Sequence, residues 1–127
     1  MTEEDKVVET LEREWNRCVS GGDWSEISKL YTVDALFFGS KARMYCGHSE
    51  ISEYFADVPK GYLRDTIFFN RRVVRIKSDV ILSAAYVTFR VNDAGRDEER
   101  LFRITFVLVR TTDGWKIAQH HASPRDF

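Results

Sequence analysis

The sequence lacks any stretch approaching the roughly 20 apolar residues of a membrane-spanning helix. Its opening, MTEEDK, is charged and polar, with no apolar run behind a basic start. Neither a membrane partner nor a signal peptide is therefore expected. There is no Pro/Ser-rich linker, no low-complexity tract and no internal repeat, so residues 1–127 are read as one domain. The only cysteines, Cys18 and Cys46, form no CxxC, and two reduced thiols in a cytoplasmic protein are the expectation. An excess of one charge is missing too: 19 Lys and Arg stand against 20 Asp and Glu, with a formal net charge of -1. A nucleic-acid binder needs a basic surface to displace counterions from phosphates, so nucleic acid is not an expected partner. No glycine-rich phosphate loop, HExxH, zinc-ligand spacing, GxSxG or flavin or nicotinamide motif is found. No cofactor and no metal are expected.

What is present is a globular composition, 43% hydrophobic and 31% charged, in a chain long enough to bury a core. Val7, Val8, Leu11, Trp15 and Cys18 recur at helical spacing and predict a first helix. Gly21 and Gly22 should end it through a left-handed cap. Asp23, with Glu26 three residues on, predicts the cap of a short second helix reaching about Tyr31. Residues 35–38 and 44–46, around polar 39–41, read as a hairpin. Ser49 ahead of Ile51, Tyr54 and Phe55 predicts a third helix, closed by Pro59 and Gly61.

The second half reads as strands. Residues 66–76 are β-branched and aromatic, with a break in alternation at Asn70-Arg71-Arg72 that suggests a bulge. Residues 80–91 and 100–110 form further strands around a turn at 92–99. Asp113-Gly114 is a hairpin signal, and residues 115–123 form the last strand. Helices first and a meander after them predict an α+β fold: three N-terminal helices packed on a curved, mainly antiparallel sheet.

In the strand 100–110, one face carries Phe102, Ile104, Phe106 and Leu108. The other carries Arg103, Thr105, Val107 and Val109, and is also largely apolar. A sheet with one wet face alternates more cleanly than this. Three short helices cover one face, and a second copy of the chain is the simplest cover for the other. The residues expected in that contact are Val87, Phe89, Thr105, Val107 and Val109.

His120 and His121 are neighbours on a strand and point to opposite faces, so they do not form a metal pair. His121 is expected to face the interior and His120 the other side. Asp34, between the second helix and the first strand, is a candidate base, although a turn role explains it as well. A curved sheet with helices across its mouth leaves room for a small molecule. The residues expected around that space are Trp15, Tyr31, Tyr45, Tyr54, Phe69, Tyr86, Phe106, Gln119 and His121, most of which plain core packing would also explain. If the chain is catalytic, the candidates are His121, Asp34 and Tyr45.

The stretches SGGDWSEISKLYTVDA, GHSEISEYF, TIFFNRRVV, SAAYVTF and FVLVRTTDGWKIAQHHAS together resemble the NTF2-like superfamily of cone-shaped α+β folds, which includes ketosteroid isomerases and SnoaL-like cyclases. The resemblance is nearer to the association (hub) domain of calcium/calmodulin-dependent protein kinase II and its stand-alone SgcJ/EcaC-like relatives. It implies an NTF2-like cone that forms homodimers and larger rings, with His121 on the pocket side of the closing strand. The hub pocket's arginines are absent: Ala122, Phe106 and Thr88 occupy their positions, which removes charge-assisted contacts to a carboxylate ligand. Two functions follow as expectations. The first is a non-enzymatic hub-type oligomerisation domain; the alternative is a small-molecule binder or enzyme of the isomerase/cyclase kind.

Overall fold

The computed structural model describes residues 1–21 and 24–125, without the Trp24 side chain. Helix α1 (Glu3–Ser20) begins at a capping box: the Thr2 hydroxyl accepts from the Asp5 amide, and the Asp5 carboxylate accepts from the Thr2 amide. Its apolar stripe, Val8, Leu11, Trp15, Cys18 and Val19, is buried against the sheet. One turn of helix, α2 (Trp24–Ile27), and a 3-10 turn (Ser28–Leu30) lead into β1 (Tyr31–Phe38). A two-residue β2 (Tyr45–Cys46) pairs with β1, as the hairpin pattern predicts, and α3 (Gly47–Ala56) follows directly. Four long strands complete the chain: β3 (Leu63–Lys77), β4 (Val80–Asp93), β5 (Arg96–Thr111) and β6 (Gly114–Pro124).

The six strands form one curved sheet in the order β2-β1-β6-β5-β4-β3. All neighbours are antiparallel except β1 and β6, which run parallel. The helices lie on the inner face, where the core gathers Phe37, Val87, Ile104, Phe106, Leu108 and Ile117. This is the α+β layout expected, with one parallel pair inside it. No helix among the described residues is long and apolar enough to cross a membrane.

Two bulges shape the inner face. The first is the one expected at Asn70: register slips between Phe69 and Arg72, and Asn70 takes a positive φ of 52°. It turns Arg71 inward, where its guanidinium makes two hydrogen bonds to Glu12 of α1, at 2.9 and 2.6 Å. Asn16 adds a second tie, its side-chain oxygen accepting from the Thr66 amide and hydroxyl. The second bulge lies at Ala118 in β6, where Val107 pairs with Gln119 but Leu108 pairs with Ile117.

Several local expectations are corrected. Gly21 caps α1 in a right-handed conformation (φ -77°) rather than a left-handed one; Gly22 and the cap at Asp23 lie outside the described residues. Tyr31 opens β1 rather than closing a helix. Helix α3 starts at Gly47, two residues before Ser49, and the Glu50 carboxylate accepts from the Cys46 amide. The turn expected over 92–99 shrinks to Ala94-Gly95, both at positive φ, as a tight two-residue hairpin requires. The charged residues beyond it are strand residues that pair across the sheet, as Arg90 does with Glu99 at 3.4 Å.

Candidate functional site

Between the helices and the inner sheet face lies a cavity of about 200 Å³. Trp15 and Val19 line it from α1, Tyr54 and Phe55 from α3, Phe37 from β1, Phe89 and Val91 from β4, Phe102 from β5, and His120 and Ala122 from β6. Exposed Ser40 and Arg100, whose side chain is 38% exposed, mark the mouth. Aromatic rings dominate the wall and meet edge to face: Trp15 against Phe55 at 5.9 Å, Phe89 against Phe102 at 5.0 Å. Gly39 sits at the rim because a Cβ there would collide with the Tyr54 hydroxyl. That hydroxyl is held by the Ser40 amide at 2.8 Å and lies 2.9 Å from the Ser40 hydroxyl.

His120 is the buried polar residue among the described lining residues, and is 2% exposed. Phe37 and Phe106 stand edge-on to its ring at 4.5 and 5.0 Å, and Tyr31 stacks on it at 5.9 Å. Nδ1 lies 2.7 Å from the Tyr31 hydroxyl oxygen, which also accepts from the Trp15 indole N–H at 3.0 Å. Burial penalises the imidazolium and, with a smaller repulsion from His121, lowers the His120 pKa from 6.5 to about 3. The same burial pushes the Tyr31 phenol upward. Both groups are therefore neutral near pH 7. At the mouth, Arg100 is hydrogen-bonded to Glu98 and lies 3.5 Å from Asp93.

The sequence-predicted residues divide between the two faces. Trp15 and Tyr54 line the cavity. Tyr31 and Phe106 stand directly behind it, on the His120 ring. Tyr45 is buried beside Tyr54 at 5.1 Å with the Arg43 guanidinium over its ring, and it forms no part of the wall. Phe69 and Tyr86 stack on each other on the outer face, with Arg125 over Tyr86. Gln119 and His121 are exposed on that same face, where His121 meets Phe38 at 5.5 Å. The histidine assignment is thus inverted: His120 faces the cavity and His121 the outside. The cause is the bulge at Ala118. Counting alternately from buried Ile117 puts Gln119 and His121 inside, and one extra residue reverses the parity.

Asp34 is exposed, accepts a hydrogen bond from the Thr32 hydroxyl, and lies away from the cavity. The expected outer-face contact also needs correction. Val87 is wholly buried and pairs with Phe102, and Phe89 lines the cavity; both belong to the inner face. Thr105, Val107 and Val109 do face outward, beside Ala84, Leu82 and Val80 of β4. Sequence reasoning missed Phe37, Phe55, Phe102 and Arg100 as wall residues. Its usable signal was the inner alternation of β5, extended across the strand pairing.

The model of the SnoaL-like domain family matches residues 8–126. The chain belongs to the SnoaL-like family. Its fold is shared with solved structures of low identity. One is a protein of Xanthomonas campestris provisionally named a calcium/calmodulin dependent protein kinase II association domain (22% identity, TM-score 0.88, 98% of this chain and 90% of that one). Another is an NTF2-like protein with a cystatin-like fold from Novosphingobium aromaticivorans (15% identity, TM-score 0.83, 98% and 83%). A third is a ketosteroid isomerase-like protein of Erwinia carotovora atroseptica (19% identity, TM-score 0.82, all of both chains). No curated protein sequence matches the chain significantly. At these identities the likeness establishes that this SnoaL-like chain has an NTF2-like fold, and the varied names of its neighbours show that fold alone does not choose an activity.

Proposed function

We propose that this SnoaL-like chain binds a small, largely apolar molecule in the cavity between its helices and inner sheet face. The observation that carries this is the cavity itself: about 200 Å³, walled by aromatic rings, with His120 the buried polar side chain among its described lining residues. Ligand sites in small domains have this composition, apolar walls with few convergent polar groups. Binding rather than catalysis is favoured because the described lining residues include no carboxylate, and Asp34 is elsewhere. A histidine with a pKa near 3 is also a poor base at neutral pH. The test is a panel of one- and two-ring compounds followed by Trp15 fluorescence and thermal shift, in the parent and in Ala122→Phe, which fills the space. Saturable binding lost in the folded variant is the expected result. Binding that persists undiminished in the variant refutes the assignment.

A second reading, self-association through the outer sheet face, is favoured by a specific observation. Leu36, Phe38, Ile67, Val74, Ile76 and Leu82 are all exposed there. With Thr105, Val107 and Val109 they make a broad apolar surface of the kind that a second copy covers. Native mass spectrometry over a concentration series should reveal a dimer or a larger even-numbered ring, weakened by Val107→Asp. A Val107→Asp protein with the parent's mass distribution excludes this surface.

A further inference from the structure

Among the described residues of the cavity lining, His120 is the buried polar side chain, and the hydrogen bonds behind it decide its chemical character. The Tyr31 hydroxyl oxygen accepts from the Trp15 N–H, a group that can only donate. Its other partner is His120 Nδ1. The hydroxyl hydrogen therefore has one acceptor, Nδ1; were Nδ1 protonated instead, a buried O–H would be left unpaired. The ring proton accordingly sits on Nε2. No buried polar side-chain atom among the described residues lacks a partner, and Nδ1 is the ring nitrogen bonded within the protein, so Nε2 is the atom that meets the cavity.

We propose that the occupant is a neutral aryl carbonyl compound whose oxygen accepts a hydrogen bond from Nε2–H of His120. This rests on the binding reading above and names its ligand class. The donor is fixed by the Trp15–Tyr31–His120 chain and cannot turn into an acceptor without orphaning the tyrosine proton. A cation finds no carboxylate among the described residues of the wall. An anion finds only Arg100, which Glu98 and Asp93 already engage. A neutral acceptor on an apolar frame meets both constraints. The size agrees: a dry cavity of about 150 Å³ holds benzene, so about 200 Å³ holds one ring with a short substituent. Edge-to-face walls of Trp15, Phe37 and Phe55 suit a flat ring.

The test compares acetophenone, ethylbenzene and benzoate by calorimetry near neutral pH, with the whole chain and with His120→Phe. One neutral hydrogen bond predicts that acetophenone binds about 3- to 10-fold tighter than ethylbenzene. That ratio should fall to about one in His120→Phe, and benzoate should bind weakest. Independently, nitrogen-15 spectra of the ligand-free parent should show His120 as the Nε2–H tautomer, without titration as the pH falls from about 8 to 5. Equal affinity for acetophenone and ethylbenzene, a preference for benzoate, or an Nδ1–H tautomer overturns the proposal while leaving the cavity a binding site. If neither neutral compound binds, the binding reading falls with it. Should His120→Phe not fold, the parent's affinity ratio and its tautomer still decide.

Discussion

Acidification should unfold this protein through His120 in particular. In the folded chain the ring is buried and its pKa falls from 6.5 to about 3. In the unfolded chain it titrates at the ordinary histidine value. Between those two values the unfolded state carries a proton that the folded state refuses, so stability rises with pH. The contribution is fully present above about 6.5 and is lost progressively as the pH falls toward about 3. Each pH unit in that window removes about 1.4 kcal/mol, so going from about pH 7.5 to about pH 5 costs about 2 kcal/mol. Urea unfolding at the two pH values measures this, in the parent and in His120→Phe. The variant loses a fixed amount by orphaning the Tyr31 hydroxyl, about 1–3 kcal/mol, but that loss does not depend on pH. Groups common to both proteins, such as Asp5 and Glu50 with their lowered pKa values, cancel in the comparison. The parent should therefore show the steeper loss by about 2 kcal/mol. Equal losses in parent and variant would mean that His120 is protonated in the folded state, and would refute the burial argument.

Three further outcomes are expected. Glu12→Gln removes the charge from the buried pair that holds α1 to the β3 bulge, and should destabilise the chain by about 2 kcal/mol in urea titration; a change below about 0.5 kcal/mol would show the pair to be solvated. Gly39→Ala drives a methyl into the Tyr54 hydroxyl and to 2.7 Å from the Phe37 ring. It should cost about 1–3 kcal/mol and weaken ligand binding, and a variant with the parent's midpoint and affinity contradicts the close approach. Phe106→Ala, beside His120 and 2% exposed, should cost about 3–5 kcal/mol, with a fall in the urea midpoint as the measure.

Much of the architecture was legible in the residues because it rests on local physics. The spacing of Val8, Leu11, Trp15 and Cys18 makes one helical face apolar whatever lies opposite. The broken alternation at Asn70 announced its bulge, and Asp113-Gly114 announced the last hairpin, with Gly114 at φ 102°. The apolar character of both sheet faces was equally readable, as was the resemblance to an NTF2-like fold. Which residue stands on which face was not. Val87 and Phe89 look like partners of Val107 until the β4–β5 pairing sets Val87 opposite Phe102 and Leu82 opposite Val107. His121 looks like the inward histidine until the bulge at Ala118 exchanges it for His120. Alternation along a strand is a property of the backbone and is written locally. Its phase is set by hydrogen bonds to a neighbouring strand far away in sequence, and a single extra residue in that ladder reverses every side chain beyond it. The sequence alone therefore determined the elements and the apolar sheet, while only the tertiary pairing decided that His120, held by Tyr31 and Trp15, meets the cavity.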